Sequence, residues 1–329
     1  MTTSSSPWVI VLAGGDGRRL DGVSIEGRRL DRPKQFCRIG GSESLLQRTL
    51  QRASRITGRD RIMAVVRDDH RHWWSEELHD LPVENVLTEP ANRGTAVAIL
   101  HALVHVLPRD AGPALVLLPS DHAVDDESVL IESIDLAARL AAASPEHVFL
   151  LGMVPESEET EYGWVLPFRG GGRVRAVSRF VEKPGRKLAA ELRAEGALWN
   201  SFICVASGHA LLELFEGIQA HMLSRYLQFF LARQEHDPRE LAMFQALPSM
   251  DFCGEILESA AGRLRVLVVP PCGWTDLGTP LRIDRWLLRS DSDAASLMVR
   301  ASHSTRQDGA PIFIRVEDQV TRDDVASFH

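Results

Sequence analysis

No stretch of this 329-residue chain approaches the ~18 consecutive apolar residues of a membrane-spanning helix. Its start, MTTSSSPW, lacks the basic and apolar regions of a secretory signal. The expected location is therefore the cytoplasm, with no membrane partner. Cysteine is scarce: Cys37, Cys204, Cys253 and Cys272 form neither a CxxC pair nor a metal-ligand spacing, which argues for reduced thiols over a disulfide framework or a zinc site. Excess positive charge is missing as well. A formal net charge of -8 and a pI near 5.9 speak against a nucleic-acid surface, which leaves a basic footprint. A local cluster of cations could still hold a small anion. There is no internal repeat and no Pro/Gly/Ser-rich linker.

What is present is an ordinary soluble composition, 44% hydrophobic and 25% charged with a mean hydropathy of -0.10, on a chain long enough for a large core. Short apolar runs alternate with helical patterns. WVIVL precedes SLLQRTLQRAS, RIMAVV precedes DDHRHWWSEEL, NVLTEP precedes GTAVAILHALVHVL, and ALVLLPSD precedes SVLIESIDLAARLAAA, before VFLLGMVP. Runs this continuous suit strands buried on both faces, so an α/β fold is expected, with a Rossmann-like, mostly parallel sheet flanked by helices. Ligands then sit at the carboxyl ends of the strands.

After Pro155 the pattern changes. YGWVLPF, VRAVSRFVEKP and LWNSFICVA read as strands, and RKLAAELRAEG, HALLELFEGI and DFCGEILESAA as helices. These predict a smaller β layer over the mouth of the first sheet, followed by one more buried strand, LRVLVVPP. From Leu281 the sequence is irregular, which divides the chain into a domain over 1–280 and a short carboxyl-terminal extension over 281–329.

The first turn, VLAGGDGRRL, fails the GxGxxG dinucleotide fingerprint because Leu20 stands where the last glycine belongs, and no Gly-Lys-Ser/Thr follows to make a Walker A loop. GGxGxRL between strand and helix remains, as a plain turn or as a phosphate cradle of bare amides beside Arg18 and Arg19. RPKQF adds Lys34 behind a stiffening proline. Asp121 ends the apolar run LLPSDH, where a carboxylate either faces a crevice and serves a magnesium ion or caps the next helix. Asp276 in CGWTDLGTP repeats the device between two glycines. Glu182 and Lys183 in RFVEKP form either a surface ion pair or, if the chain turns before Pro184, two pocket groups. Asn200, among large apolar residues, needs a hydrogen-bond partner, either a sugar hydroxyl or backbone.

In this order LAGGDGRRL, RPKQF, EPANRGTAVAI, LPSDH, YGW, FVEKP, LWNS and GWTDLGTP resemble the sugar nucleotidyltransferases, and among them the mannose-1-phosphate guanylyltransferases, over residues 8 to 280. The resemblance implies the nucleotide-diphospho-sugar transferase fold with a sugar-binding β layer. It implies a nucleotide site of Leu12, Ala13, Gly14, Gly15, Gly17, Arg19, Lys34, Glu89, Pro90, Arg93, Thr95, Ala96, Ser120 and Asp121. Gly163, Glu182, Lys183 and Asn200 would meet the sugar phosphate, Asp121 and Asp276 would hold Mg²⁺, and Arg19, Lys34, Asp121, Lys183 and Asp276 would be the catalytic set. The implied reaction converts GTP and mannose 1-phosphate to GDP-mannose and pyrophosphate. Another NTP and sugar 1-phosphate pair, with glucose or heptose, is the nearest rival, and a non-catalytic nucleotide-sugar sensor of the same fold is a second. A homodimer is left open.

Three departures from the family pattern stand out. The segment DGVSIEGRRLDR lengthens the loop before PKQF. Gly94 and Val97 replace an asparagine and a proline near the base, and GWTDLGTP replaces a Gly-Ser-Trp ending. The resemblance does not extend to the isomerase domain of bifunctional members, so transferase activity alone is expected.

Overall fold

A computed structural model of the chain describes residues 6–17, 23–25, 28–29, 32–232, 239–290 and 300–301. Its strands are β1 (Trp8–Leu12), β2 (Val23–Ile25), β3 (Arg28–Arg29), β4 (Ile62–Arg67), β5 (Val86–Glu89), β6 (Ala114–Pro119), β7 (Val148–Met153), β8 (Trp164–Pro167), β9 (Val174–Val181), β10 (Leu198–Ser207), β11 (Leu264–Val269) and β12 (Arg300–Ala301). The α-helices are α1 (Leu45–Ile56), α2 (Arg71–Glu77), α3 (Thr95–Val106), α4 (Glu127–Ala143), α5 (Arg186–Ala194), α6 (Gly208–Ala232), α7 (Glu240–Gln245) and α8 (Pro280–Ser290).

Nine strands form one sheet in the order β5-β4-β1-β6-β10-β7-β11-β9-β8, while β12, β2 and β3 make a small second sheet. Seven of the nine point the same way, and β9 and β10 run against them. Alternation along β1 sends Ile10 to the core on one face and Val9 and Val11 to the core on the other. This two-sided burial is why the run lacks polar residues.

The separate β layer expected after Pro155 is not formed. β10 enters antiparallel between β6 and β7, so hydrogen bonding continues into β8, β9 and β11. β8 also returns to pair with β10 at Leu198–Trp199, which curls this end of the sheet. DFCGEILESAA is not an α-helix either: Phe252–Leu257 is a π turn and Glu258–Arg263 a 3-10 turn. The kinked α6, with Gln219 off helical geometry, extends far beyond HALLELFEGI.

The expected boundary at 280/281 falls at the start of α8, whose Ile283, Trp286 and Leu287 pack with Cys37, Ile39, Leu45, Ala123 and Leu277. Residues 291–299 and 302–329 of the expected extension lie outside the described residues. All four cysteines are buried free thiols. No helix among the described residues is long and apolar enough to cross a membrane.

Candidate active site

The parallel pair β1 and β6 ends in register at Leu12 and Pro119, and Ser120 N donates to Leu12 O at 3.2 Å. Both strands therefore deliver their exit loops to the same edge. The glycine loop is held from two sides. Ala13 N donates to Val65 O at 2.8 Å, and Gln35 Nε2 donates to Ala13 O and Gly15 O at 3.1 and 2.8 Å. Gly17 has φ +64, and a Cβ there would lie 2.4 Å from Lys34 N. Only glycine lets the loop press against the turn that carries the lysine.

Lys34 sits in the 3-10 turn Lys34–Phe36 and is 5% exposed. Its Nζ lies 2.8 Å from Asp121 Oδ2 and donates to the backbone oxygen of Asp276. These two acids, remote in sequence, are neighbours because Ala123 and Thr275 form an isolated antiparallel bridge, with N–H to O distances of 2.9 and 3.0 Å. Asp276 Oδ1 accepts from Tyr162 OH at 2.9 Å, Gly278 N at 2.9 Å and Arg282 Nη1 at 2.8 Å. Burial opposes its ionisation, but Lys34, Arg282 and the Gly278 amide outweigh it and hold the carboxyl below its ordinary range. Asp121 does not cap a helix: Asp126 does, accepting from Ser128 N and Val129 N.

Behind Asp121, burial pushes His122 down to about 4 despite the nearby Asp121 carboxylate. The imidazole is thus neutral at physiological pH. It accepts at Nδ1 from Trp274 Nε1 at 3.3 Å.

The facing wall comes from β8, β9 and β10. β9 stops at Val181, and Lys183 takes φ +46, so the two-residue alternation of the strand ends and both Glu182 and Lys183 turn into the cleft. Their charged atoms are 3.4 Å apart. Burial raises the Glu182 carboxyl against the pull of Lys183, and Glu182 Oε2 has no hydrogen-bond partner among the described residues. Gly163 makes room for it, since a Cβ there would lie 2.6 Å from that oxygen. Asn200 N donates to Gly163 O at 2.8 Å, its Oδ1 accepts from Phe202 N at 3.2 Å, and its Nδ2 faces Cys253 Sγ at 3.4 Å.

These walls enclose one cavity of about 530 Å³ lined by Leu12, Gly14, Gly15, Gly17, Lys34, Glu89, Thr95, Ser120, Asp121, Gly163, Glu182, Lys183, Asn200 and Asp276. Four residues expected at the nucleotide are not in its lining. Ala13 is buried with both backbone groups engaged, Ala96 is buried and gives its N–H to Met250 O, Arg93 turns its guanidinium to Gln245 O, and Pro90 is absent from the lining though its neighbour Glu89 is in it. Arg19 lies outside the described residues. The sequence reading missed Asp16, Gln35, Tyr162, Asp251, Cys253 and Trp274, which also line the cavity, as does Gly94. Gly94 had a signal: it replaces a family asparagine, and the structure shows φ +82 with Met250 O 2.2 Å from where a Cβ would be.

Two sets of groups are candidates for a metal. Glu182, Asp251 and Cys253 lie within 4.8 Å of one another, but burial raises the Cys253 thiol well above its ordinary value, and a protonated thiol does not suit Mg²⁺. Asp121 and the ionised Asp276 offer hard oxygens on bridged backbones. One or two carboxylates completed by substrate phosphate is the usual magnesium arrangement, and the pair fits it.

The sequence profile of the nucleotidyl transferase family matches residues 8–283. The chain is 32% identical over 277 residues to the xanthan biosynthesis protein XanB of Xanthomonas campestris pv. campestris, covering 82% of this chain and 57% of that protein. It is 29% identical over 292 residues to mannose-1-phosphate guanylyltransferase 2 of Escherichia coli O157:H7, covering 82% and 58%. This chain therefore spans little more than half the length of these curated relatives. Among solved structures, a Thermus thermophilus protein described as a mannose-1-phosphate geranyltransferase superposes with a TM-score of 0.74 at 26% identity, over 85% of this chain and 79% of that one. Together with the glycine loop, the bridged acids and the two-walled cleft, these matches show that the chain belongs to the nucleotidyl transferase family.

Proposed function

We propose that the protein transfers a nucleotidyl group from GTP to mannose 1-phosphate, releasing pyrophosphate and forming GDP-mannose. The observation that carries this reading is a single cavity joining Lys34, Asp121 and Asp276 on one wall to Glu182, Lys183 and Asn200 on the other. An oxygen of the sugar phosphate attacks the α-phosphorus in line with departing pyrophosphate. That oxygen is already anionic, so no general base is required, and catalysis rests on alignment and on cancelling the repulsion of two anions.

Lys183 binds the sugar phosphate, Lys34 neutralises the reacting phosphates, and Glu182 and Asn200 meet sugar hydroxyls. Arg19 is assigned the triphosphate by family resemblance. Asp121 and Asp276 hold Mg²⁺, which when bound supplies positive charge at the phosphates. The catalytic unit takes in α8 as well as residues 1–280, because Arg282 holds Asp276 and Ile283, Trp286 and Leu287 pack with Cys37 and Ile39.

The base is the finer part of the reading. Glu89 is 3% exposed, its Oε1 has no hydrogen-bond partner among the described residues, and its Oε2 lies 2.7 Å from where a Gly14 Cβ would stand. An ionised carboxylate here is a pure acceptor, matching the adjacent N1–H and N2–H donors of guanine. No other base presents two adjacent donors. This favours GTP.

The test is pyrophosphate release with Mg²⁺ across a panel of NTPs and of mannose, glucose and heptose 1-phosphates. GTP with mannose 1-phosphate is expected to give the highest kcat/KM. A folded protein inert with every pair would reject the enzyme reading in favour of a sensor. Asp121→Ala is expected to lower turnover by about 10²-fold or more while leaving the fold intact.

A further inference from the structure

Lys34 occupies an unusual position for a residue whose task is to meet substrate phosphate. Its ammonium already lies between the two acids, 2.8 Å from Asp121 Oδ2 and bonded to the backbone oxygen of Asp276. The lysine is nine-tenths buried and more, and its turn is anchored by Gln35 to the glycine loop. Asp276 carries a second cation, Arg282, at 2.8 Å.

We propose that Lys34 is an internal counter-ion that closes the carboxylate pair to a bare divalent cation until nucleotide phosphates draw the ammonium away. The proposal rests on the assignment of Asp121 and Asp276 as metal holders. A free divalent ion must approach an ammonium of like sign and displace it from the Asp121 carboxylate that its Nζ meets at 2.8 Å. With a nucleotide, the phosphates supply that anion and bring further ligands for the metal. Metal and nucleotide therefore bind with positive coupling, and by linkage each raises the affinity of the other. Lys183 cannot play this part, because its Nζ is engaged with Glu182 on the opposite wall.

Mn²⁺, titrated into the full chain without nucleotide and followed as free ion by electron paramagnetic resonance, is the probe. Lys34→Met and Lys34→Gln are expected to bind it at least ten-fold more tightly than the unsubstituted protein, and Asp121→Asn on either background to abolish that gain. Affinities equal to or weaker than those of the unsubstituted protein would overturn the proposal and leave the metal assignment standing. Tight binding that survives Asp121→Asn would overturn both.

A second measurement needs no variant to fold. The chain has three lysines, Lys34, Lys183 and Lys187, so lysine-selective ¹⁵Nζ spectra contain few signals. MgCl₂ alone should leave the Lys34 resonance in place, and GTP with MgCl₂ should move it. A saturable shift with MgCl₂ alone would refute the closure.

Discussion

At Glu89, burial and chemistry pull in opposite directions. Burial raises its carboxyl to about 8, with Arg67 only partly opposing this, so the unliganded protein holds it protonated at neutral pH. The guanine contact proposed for Glu89 requires the charged form. GTP binding at pH 7 is therefore expected to release close to one proton, measured by calorimetry in buffers of different ionisation enthalpy, and Glu89→Gln should abolish the release and erode guanine preference. The same residue affects stability. Because its folded value lies above its unfolded one, the proton stabilises the fold fully below about pH 4.5, and that contribution is lost as pH rises through about 8. Glu89→Gln should thus gain stability relative to the parent across this window, on the order of 4 kcal/mol by pH 8, in denaturant titrations at stepped pH.

Several side chains at this scale could be read from the chain alone. Glu182 and Lys183 were legible because Pro184 marks the end of a strand, and Asp121 and Asp276 because each follows an apolar run. Tyr162, Arg282 and Trp274 were not, since their meaning lies in partners more than a hundred residues away or in a cluster that only the fold assembles.

Among the elements, the glycine loop and the Lys34 turn act as one unit. Gly17→Ala forces a side chain into left-handed backbone and into Lys34 N. The expected cost is about 1–2 kcal/mol of stability and about 10²-fold in kcat from displaced groups, separable by thermal melts and steady-state kinetics. Farther from the cleft, α1 and α4 are joined by Arg52, whose Nε and Nη2 each lie 2.7 Å from a Glu127 oxygen. Arg52 is 3% exposed. Glu127→Gln leaves that guanidinium without its counter-charge and should cost about 2 kcal/mol, less than a fully buried pair because Glu127 is partly exposed. Turnover of the folded protein should be unchanged.

Helix periodicity placed α1, α3, α4 and α5 nearly to the residue. It failed at residues 251–261, where hydrogen bonds from Phe252 N to Thr95 Oγ1 and from Gly254 N to Asp251 Oδ2 accompany a π turn that local propensity does not encode.

For the whole molecule, the proposed reaction puts both reactants in one cavity and takes its nucleophile from the substrate. No covalent enzyme intermediate is required, so initial-rate plots against GTP at several mannose 1-phosphate concentrations should intersect. Parallel lines would indicate a ping-pong route and contradict the shared cleft. Continuous apolar runs made the two-faced sheet legible, but strand order is a property of long-range pairing. Nothing in LWNSFICVA announces that it runs antiparallel through the middle of the sheet.

The bridge between Ala123 and Thr275 bears on how such a protein can change over time. Its two contacts are made by peptide groups, which side-chain replacement does not remove. The long intervening chain can then lengthen, shorten or exchange the cavity wall that carries Glu182, Lys183 and Asn200 while the two acids stay in step, so one wall of the cleft is free to diverge without disturbing the other.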